Sequence, residues 1–215
     1  MKSFVITIQS NPKSVEAASR CIKSMPEHNV QMFDAITPND NPEKLFEEKG
    51  INPEGFIEKY SYLESCMSAF LSHHTLWEKC VEDNQEYQIF EHDAVAVNNI
   101  PLFINYDKVI SLGQPSYGKY NTPMHIGAGP LVSKRYFPGA HAYRLKPAGA
   151  KILIETAKTK GGPTDVYLNL IHFPWLEEFY PWPVAAKDYF TTIQKTEGCL
   201  AKHNWKGGQN YEIVR

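Results

Sequence analysis

Gln88-Ile89-Phe90-Glu91-His92-Asp93-Ala94-Val95 is an apolar run that ends abruptly in two carboxylates flanking a histidine. Such a run reads as a buried strand, and open α/β sheets bind their ligands beyond the C-terminal ends of their strands. Glu91 and Asp93 are two residues apart. On an extended chain they point the same way about 7 Å apart, and a bend would converge them on one hard divalent ion. A cation so held can neutralise a diphosphate leaving group. The same triplet also occurs where a strand simply runs into a polar turn, so the rest of the chain has to decide.

At 215 residues the chain has room for one substantial α/β domain. A formal net charge of −2 gives no overall basic field, which argues against strong global binding to nucleic acid or anionic membrane. No stretch approaches the roughly 20 apolar residues of a membrane span. The N-terminus lacks the long apolar core and small-residue cleavage site of a secretion signal. A cytosolic location is expected, in the host cytoplasm if the protein is viral. Cys21, Cys66, Cys80 and Cys199 form no C-x-x-C pair and read as reduced packing residues.

Residues 4–8 form a β-branched run expected as the first buried parallel strand, broken by Asn11-Pro12. Val15, Ala18, Ile22 and Met25 then recur at helical spacing up to Pro26. A second strand is expected within 30–36, then a Pro/Asn/Asp-rich loop and a polar stretch to about residue 60 that is mobile or partly helical. The strongest helix spans 62–81, with Leu63, Cys66, Met67, Phe70, Leu71, His74, Trp77, Cys80 and Val81 on one apolar stripe. It carries Ser72-His73, and His74 on the stripe reads as a core histidine. Strands follow at 87–90 and 108–112. Residues 113–139, rich in Gly, Pro, Tyr and Asn, suit a substrate-binding surface. Pro147 opens a helix to Lys158, and Thr164 or Asp165 is expected to cap another over 166–172. Residues 174–215 read as an aromatic C-terminal cover over the site. The resulting fold class is a single α/β domain, with a mostly parallel central sheet and helices on both faces.

Several segments, in order, carry a family resemblance. They are Val5-Ile6-Thr7-Ile8-Gln9-Ser10-Asn11-Pro12, Ala35-Ile36-Thr37, Cys66 with Ala69-Phe70-Leu71-Ser72-His73-His74-Thr75-Leu76-Trp77, Ile89 to Val95, Gly139-Ala140-His141-Ala142-Tyr143 with Gly149-Ala150, and Pro163-Thr164-Asp165. Together they resemble glycosyltransferase family 25, which contains bacterial lipooligosaccharide and collagen-type galactosyltransferases. The resemblance implies a Rossmann-type fold of the GT-A class and inverting transfer from a nucleotide sugar, most often a UDP-sugar, with a divalent metal such as manganese. Two departures stand out. His92 occupies the centre of the metal motif where an acid is usual, and Ser65 replaces the glycine before the cysteine.

On that resemblance Asp93 is the main metal ligand and Glu91 the second, or a ribose contact. His92 ligates the metal or points away. His203, in Lys202-His203-Asn204-Trp205, is a third ligand if the tail folds back, or a surface histidine. Asp165 matches the family's Pro-x-Asp position and is the candidate base, with an N-cap as the bland alternative. Thr7, Ile8, Gln9 and Asn11 lie where the first βα junction meets nucleobase and ribose. Ser72 and His73 would orient the diphosphate or an acid through hydrogen bonds. Trp175, Trp182 and Trp205 stack on a sugar or base, or pack the tail. Thr191-Thr192-Ile193-Gln194 resembles a late family segment to which no role is assigned.

Four further questions stay open on the sequence. A non-catalytic nucleotide-sugar or glycan-binding module of the same fold is the serious rival, and a metal-dependent hydrolase a weaker one. The acceptor is a glycan or a modified base in DNA, the latter meeting phosphates near Lys134-Arg135 and Lys202 to Lys206. Neither the donor sugar nor the oligomeric state is legible.

Overall fold

A sheet whose strands are apolar on both sides must be covered on both sides, and this sheet sorts its residues accordingly. Val5, Phe90, Ala142 and Ile110 join Ala18 and Cys21 in one buried cluster. Their strand neighbours Ile6, Ile89, Tyr143 and Val109 join Phe46, Phe70, Trp77 and Leu153 in the other. Successive side chains alternate between faces, so the sheet parts two cores. The structure, a computed structural model, describes residues 1–56, 62–187 and 192–193.

In chain order the elements are β1 (Lys2–Thr7), α1 (Pro12–Ser24), β2 (Gln31–Asp34), α2 (Pro42–Lys49), α3 (Leu63–Glu82), β3 (Tyr87–Glu91), β4 (Ala94–Ala96), β5 (Val109–Ser111), β6 (Gly127–Pro130), β7 (Ala142–Leu145), α4 (Pro147–Lys160), α5 (Thr164–Tyr167), β8 (Glu177–Tyr180) and β9 (Val184–Ala186). The main sheet runs β2-β1-β3-β7-β5-β8-β6. β1 is parallel to β2 and β3, β7 is antiparallel to β3 and β5, β8 is parallel to β5, and β6 is antiparallel to β8. Five of the seven strands therefore point the same way, which makes this a Rossmann-like, mostly parallel α/β sheet. β4 and β9 pair antiparallel in a small sheet of their own.

The order places β1 between β2 and β3. The chain steps one way from β1 through α1 to β2, then doubles back through α2 and α3 to β3. Such a reversal opens a crevice at the C-terminal ends of β1 and β3. Both helices leading into it start on chemistry visible in the sequence. Asn11 accepts from the Lys13 amide at 3.0 Å with Pro12 in the first turn of α1, and Asn41 accepts from the Lys44 amide at 3.3 Å ahead of Pro42. The long helix α3 supplies the anchor of one core. Phe70 meets Phe56, Trp77 and Tyr167 edge-on with centroids 5.2–5.6 Å apart, and burying a ring of this size contributes roughly 1.5–3 kcal/mol.

The polar stretch beyond residue 42 takes the partly helical of its two readings, forming α2, and Phe46, Ile51 and Phe56 are core residues there. Other expectations change. The helix expected over 166–172 is only Thr164–Tyr167, with Pro163 rather than Thr164 or Asp165 at the cap. It stops because Asn169 captures the backbone, accepting from the Ile171 and His172 amides and donating to the Val166 carbonyl. β7 was not anticipated either, since Ala142-Tyr143-Arg144-Leu145 carries a charge at its centre. Arg144 is nonetheless fully buried, donating to the Gln88 side chain and to the carbonyls of Pro101 and Leu102.

Candidate active site

The C-terminal ends of β1 and β3 lie side by side, with Ile6 in register with Glu91. Beyond β1, the Ile8 amide donates to Ser14 Oγ at 2.9 Å, and the same hydroxyl lies 3.0 Å from His92 Nδ1. The histidine at the centre of the acidic motif thus ties the end of β3 to the first turn of α1, and one of its nitrogens is committed there. Thr7 is buried and donates to the Val5 carbonyl. The Gln9 amide reaches Asp34 at 3.4 Å, and Asn11 is spent capping α1.

Glu91 is held from behind by α3. His73, 1% exposed, places Nε2 3.1 Å from Glu91 Oε1 and Nδ1 2.8 Å from the Tyr143 hydroxyl. Burial pushes the imidazole of His73 down to about 3, so the ring is neutral at physiological pH. Burial, reinforced by the charges of Asp93 and Asp165, raises the Glu91 carboxyl well above the carboxylate range. Ser72 is turned to another task, donating to the Ser68 carbonyl and accepting from the Ile36 amide, each at 2.9 Å. It pins α3 to the chain beyond β2. His74 is a core histidine, 2% exposed and packed against Phe70 and Trp77.

Asp93 lies in the turn between β3 and β4. Its Oδ1 is buried and has no hydrogen-bond donor among the described residues. Its backbone carbonyl accepts from the Lys187 amide at 2.8 Å, so the strand pair β4–β9 brings the later chain directly against it. Asp165 comes from far away in sequence, at the first turn of α5. Tyr117 donates to its Oδ2 and the Val166 amide to its Oδ1 at 2.9 Å. Burial nevertheless raises its carboxyl above the ordinary value. Residues 113–139 thereby touch the candidate base through Tyr117, whose ring, like that of Tyr136, lies under Lys134.

Glu91 and Asp93 suit a hard divalent ion in one respect, because a buried carboxylate oxygen without a donor stands near a second carboxyl. An ion held by one or two carboxylates completes its sphere with water and substrate phosphate. Among the described residues no three His, Cys, Asp or Glu side chains converge as a ligand set. His203 and Trp205 fall outside the described residues, as does Thr191. Of the expected cover 174–215, residues 174–187 and 192–193 are described. Trp182 packs there, donating to Glu178 at 3.1 Å and meeting Tyr120 and Tyr180 edge-on. Trp175 packs against Phe173 with Lys108 above it.

Two residues without an assigned role belong to the same edge. His141, 2% exposed, immediately precedes β7 and passes its carbonyl to the Glu91 amide at 2.9 Å. A Cβ added to Gly113 would lie 2.6 Å from its ring, and one added to Gly139 3.0 Å from it. The Gly139-Ala140-His141 run, a histidine directly after a glycine and ahead of an apolar strand, is the signal that could have found it. Glu178, 1% exposed, accepts from the Val132 and Ser133 amides at 2.7 Å and fixes the wall 130–133. Gly139→Ala is expected to cost about 1–3 kcal/mol. Its φ is +90° and its Cβ would meet Ser116 Oγ at 2.4 Å, so a lowered melting temperature checks it.

An open α/β sheet with acids at the C-terminal ends of the strands on its switch point belongs to the class of α/β proteins that bind ligands in that crevice. Residues 1–112 match the model of glycosyltransferase family 25, described as an LPS biosynthesis protein. The match takes in β1 to β5 and both Glu91 and Asp93, and at 112 of 215 residues it shows that the chain belongs to this glycosyltransferase family. No curated protein matches the sequence. Among the described residues no helix is long and apolar enough to cross a membrane.

Proposed function

We propose that this glycosyltransferase moves a sugar from a nucleotide sugar, UDP being the expected nucleotide, to a hydroxyl acceptor with inversion at the anomeric carbon. The observation that carries the reading is that Asp93 and Asp165 both lie within electrostatic reach of Glu91, which ends β3 at the switch-point edge. In the proposed reaction the acceptor oxygen attacks the anomeric carbon, the bond from that carbon to the diphosphate oxygen breaks, and Asp165 takes the acceptor proton. The electron pair of the broken bond leaves with the diphosphate. When bound, a divalent cation, manganese in our reading, supplies Lewis-acid neutralisation of that leaving group, held by Asp93 and Glu91. The chain's own residues hold the geometry: His73 fixes Glu91, His92 and Ser14 close the first turn onto β3, and Tyr117 holds Asp165.

A glycan acceptor is favoured over a modified DNA base. The family's description points to a polysaccharide pathway, and the Lys134 ammonium is already spent on the Tyr117 carbonyl and two tyrosine rings. Incubating the purified protein with a panel of UDP-sugars, with and without manganese, tests the reading. Metal-dependent release of UDP from one donor is expected. Neither turnover nor a ligand-induced melting shift for any donor would leave the binding-module or hydrolase reading ahead.

Glu91→Gln is expected to stabilise the ligand-free protein at neutral pH. A carboxyl whose folded-state value is raised holds its proton more tightly folded than unfolded. Its contribution is therefore intact below about pH 4 and is lost as the pH rises through the raised value. The variant's gain in melting temperature should be near zero at pH 4 and positive at pH 7, while Gln still accepts from His73.

A further inference from the structure

Behind Glu91 stand three buried side chains in a row. Trp77 Nε1 lies 2.8 Å from the Tyr143 hydroxyl, that hydroxyl lies 2.8 Å from His73 Nδ1, and His73 Nε2 lies 3.1 Å from Glu91 Oε1. Trp77 and Tyr143 are fully buried. An indole N–H can only donate, so the Tyr143 oxygen must accept from Trp77. The one hydroxyl proton then has His73 Nδ1 as its acceptor, which leaves the neutral ring's proton on Nε2, facing Glu91. The opposite arrangement would put the proton on Nδ1 and strand the buried tyrosine proton without an acceptor, a cost of about 1–3 kcal/mol.

We propose that Trp77 and Tyr143 are positioning residues: they form a one-way hydrogen-bond chain that locks His73 as the Nε2–H tautomer, so that Glu91 Oε1 is always an acceptor and Oε2 is left to engage the nucleotide-sugar donor. The proposal rests on the reading of Glu91 as a donor-site residue. It makes a tryptophan one turn along α3 from His73, otherwise an ordinary core residue, part of what orients an acid at the sheet edge. A buried network in which every donor has one acceptor specifies one geometry, and partners of this outer kind typically carry tenfold or more in affinity or activity.

The test is ¹⁵N NMR of the histidine rings in the ligand-free protein at neutral pH, paired with UDP-sugar binding. The wild-type His73 ring is expected to show a protonated Nε2 and a bare Nδ1. Trp77→Phe vacates the position that the indole N–H holds on the Tyr143 oxygen, so the hydroxyl can turn its proton there, toward water admitted to the space, and accept from an Nδ1–H ring; both tautomers should then appear and UDP-sugar affinity should fall about tenfold. A wild-type ring protonated on Nδ1 overturns the proposal without any variant. So does a folded Trp77→Phe with an unchanged ring pattern and affinity. If Trp77→Phe fails to fold, Tyr143→Phe replaces it, and an unchanged ring pattern there counts equally against the chain. Glu91→Gln separates the two layers. Unchanged UDP-sugar binding in that variant overturns the donor-site reading and the proposal with it, while lost binding alongside an Nδ1–H ring overturns the chain alone.

Discussion

Asp93→Asn is expected to cut nucleotide-sugar turnover by about 10³-fold while raising the melting temperature of the ligand-free protein by a few degrees. The two effects share one cause. Asp93 Oδ1 is buried with no donor among the described residues, and its charge adds to the load on Glu91. An uncompensated buried oxygen costs about 1–3 kcal/mol, and the asparagine amide removes the charge at nearly constant volume. The fold should therefore gain what the reaction loses, because stabilisation of a departing diphosphate worth about 4 kcal/mol corresponds to the stated rate factor. Parallel melting curves and UDP-release assays check the opposite signs. A variant that is both active and unchanged in stability would remove Asp93 from the site.

Asp165→Asn is expected to lower kcat by about 10²–10⁴-fold, the usual worth of a general base, and to leave UDP-sugar affinity within a few-fold. Asparagine keeps Oδ1 as the acceptor for the Val166 amide, and its Nδ2 can donate to the Tyr117 hydroxyl, which then changes from donor to acceptor, so α5 should stay in place. The pH profile offers a sharper check. A base works ionised, and burial raises the Asp165 carboxyl in the ligand-free protein, so the acidic limb of kcat/KM should lie above the ordinary aspartate value. Glu91 and Asp165 feel each other, so that limb belongs to the carboxylates as a set. Loss of the limb in Asp165→Asn, with residual activity flat in pH, is the expected result. A full-rate variant would return Asp165 to a purely structural part in the first turn of α5.

What could be read from the sequence was whatever local periodicity controls. The apolar stripe of α3 and the run into Glu91 are strong local patterns, and the helix at Leu63–Glu82 and strand at Tyr87–Glu91 follow them to within a residue or two. β7 escaped because its burial of Arg144 depends on carbonyls 42 and 43 residues away, which no window along the chain reveals. β6, Gly127–Pro130, escaped for a related reason, since two glycines and a proline make a strand only by pairing with β8. At the site, the acids were visible as residue types but their supports were not. Tyr143 and Trp77 read as core, and Tyr117 as one tyrosine among many, until folding brought each to a hydrogen bond. Asp165 is legible as part of a short motif, yet its setting differs from the cap expected of it, because α5 already begins at Thr164 and takes Asp165 into its first turn.

The reversed strand β7 has a consequence for how such a protein can diversify. β5 ends and β7 begins at the same edge of the sheet, with Ser111 in register with Tyr143. The chain between them, 113–141, therefore leaves and re-enters the scaffold at neighbouring points. That excursion carries Tyr117, which donates to Asp165, Lys134, which braces Tyr117, and His141, whose carbonyl accepts from the Glu91 amide. It behaves like a cassette with fixed sockets, and its exchange between relatives would redraw one wall of the crevice without disturbing the strands that hold the acids. New acceptor preferences in this architecture need no new fold, only a new passage between two adjacent strand ends.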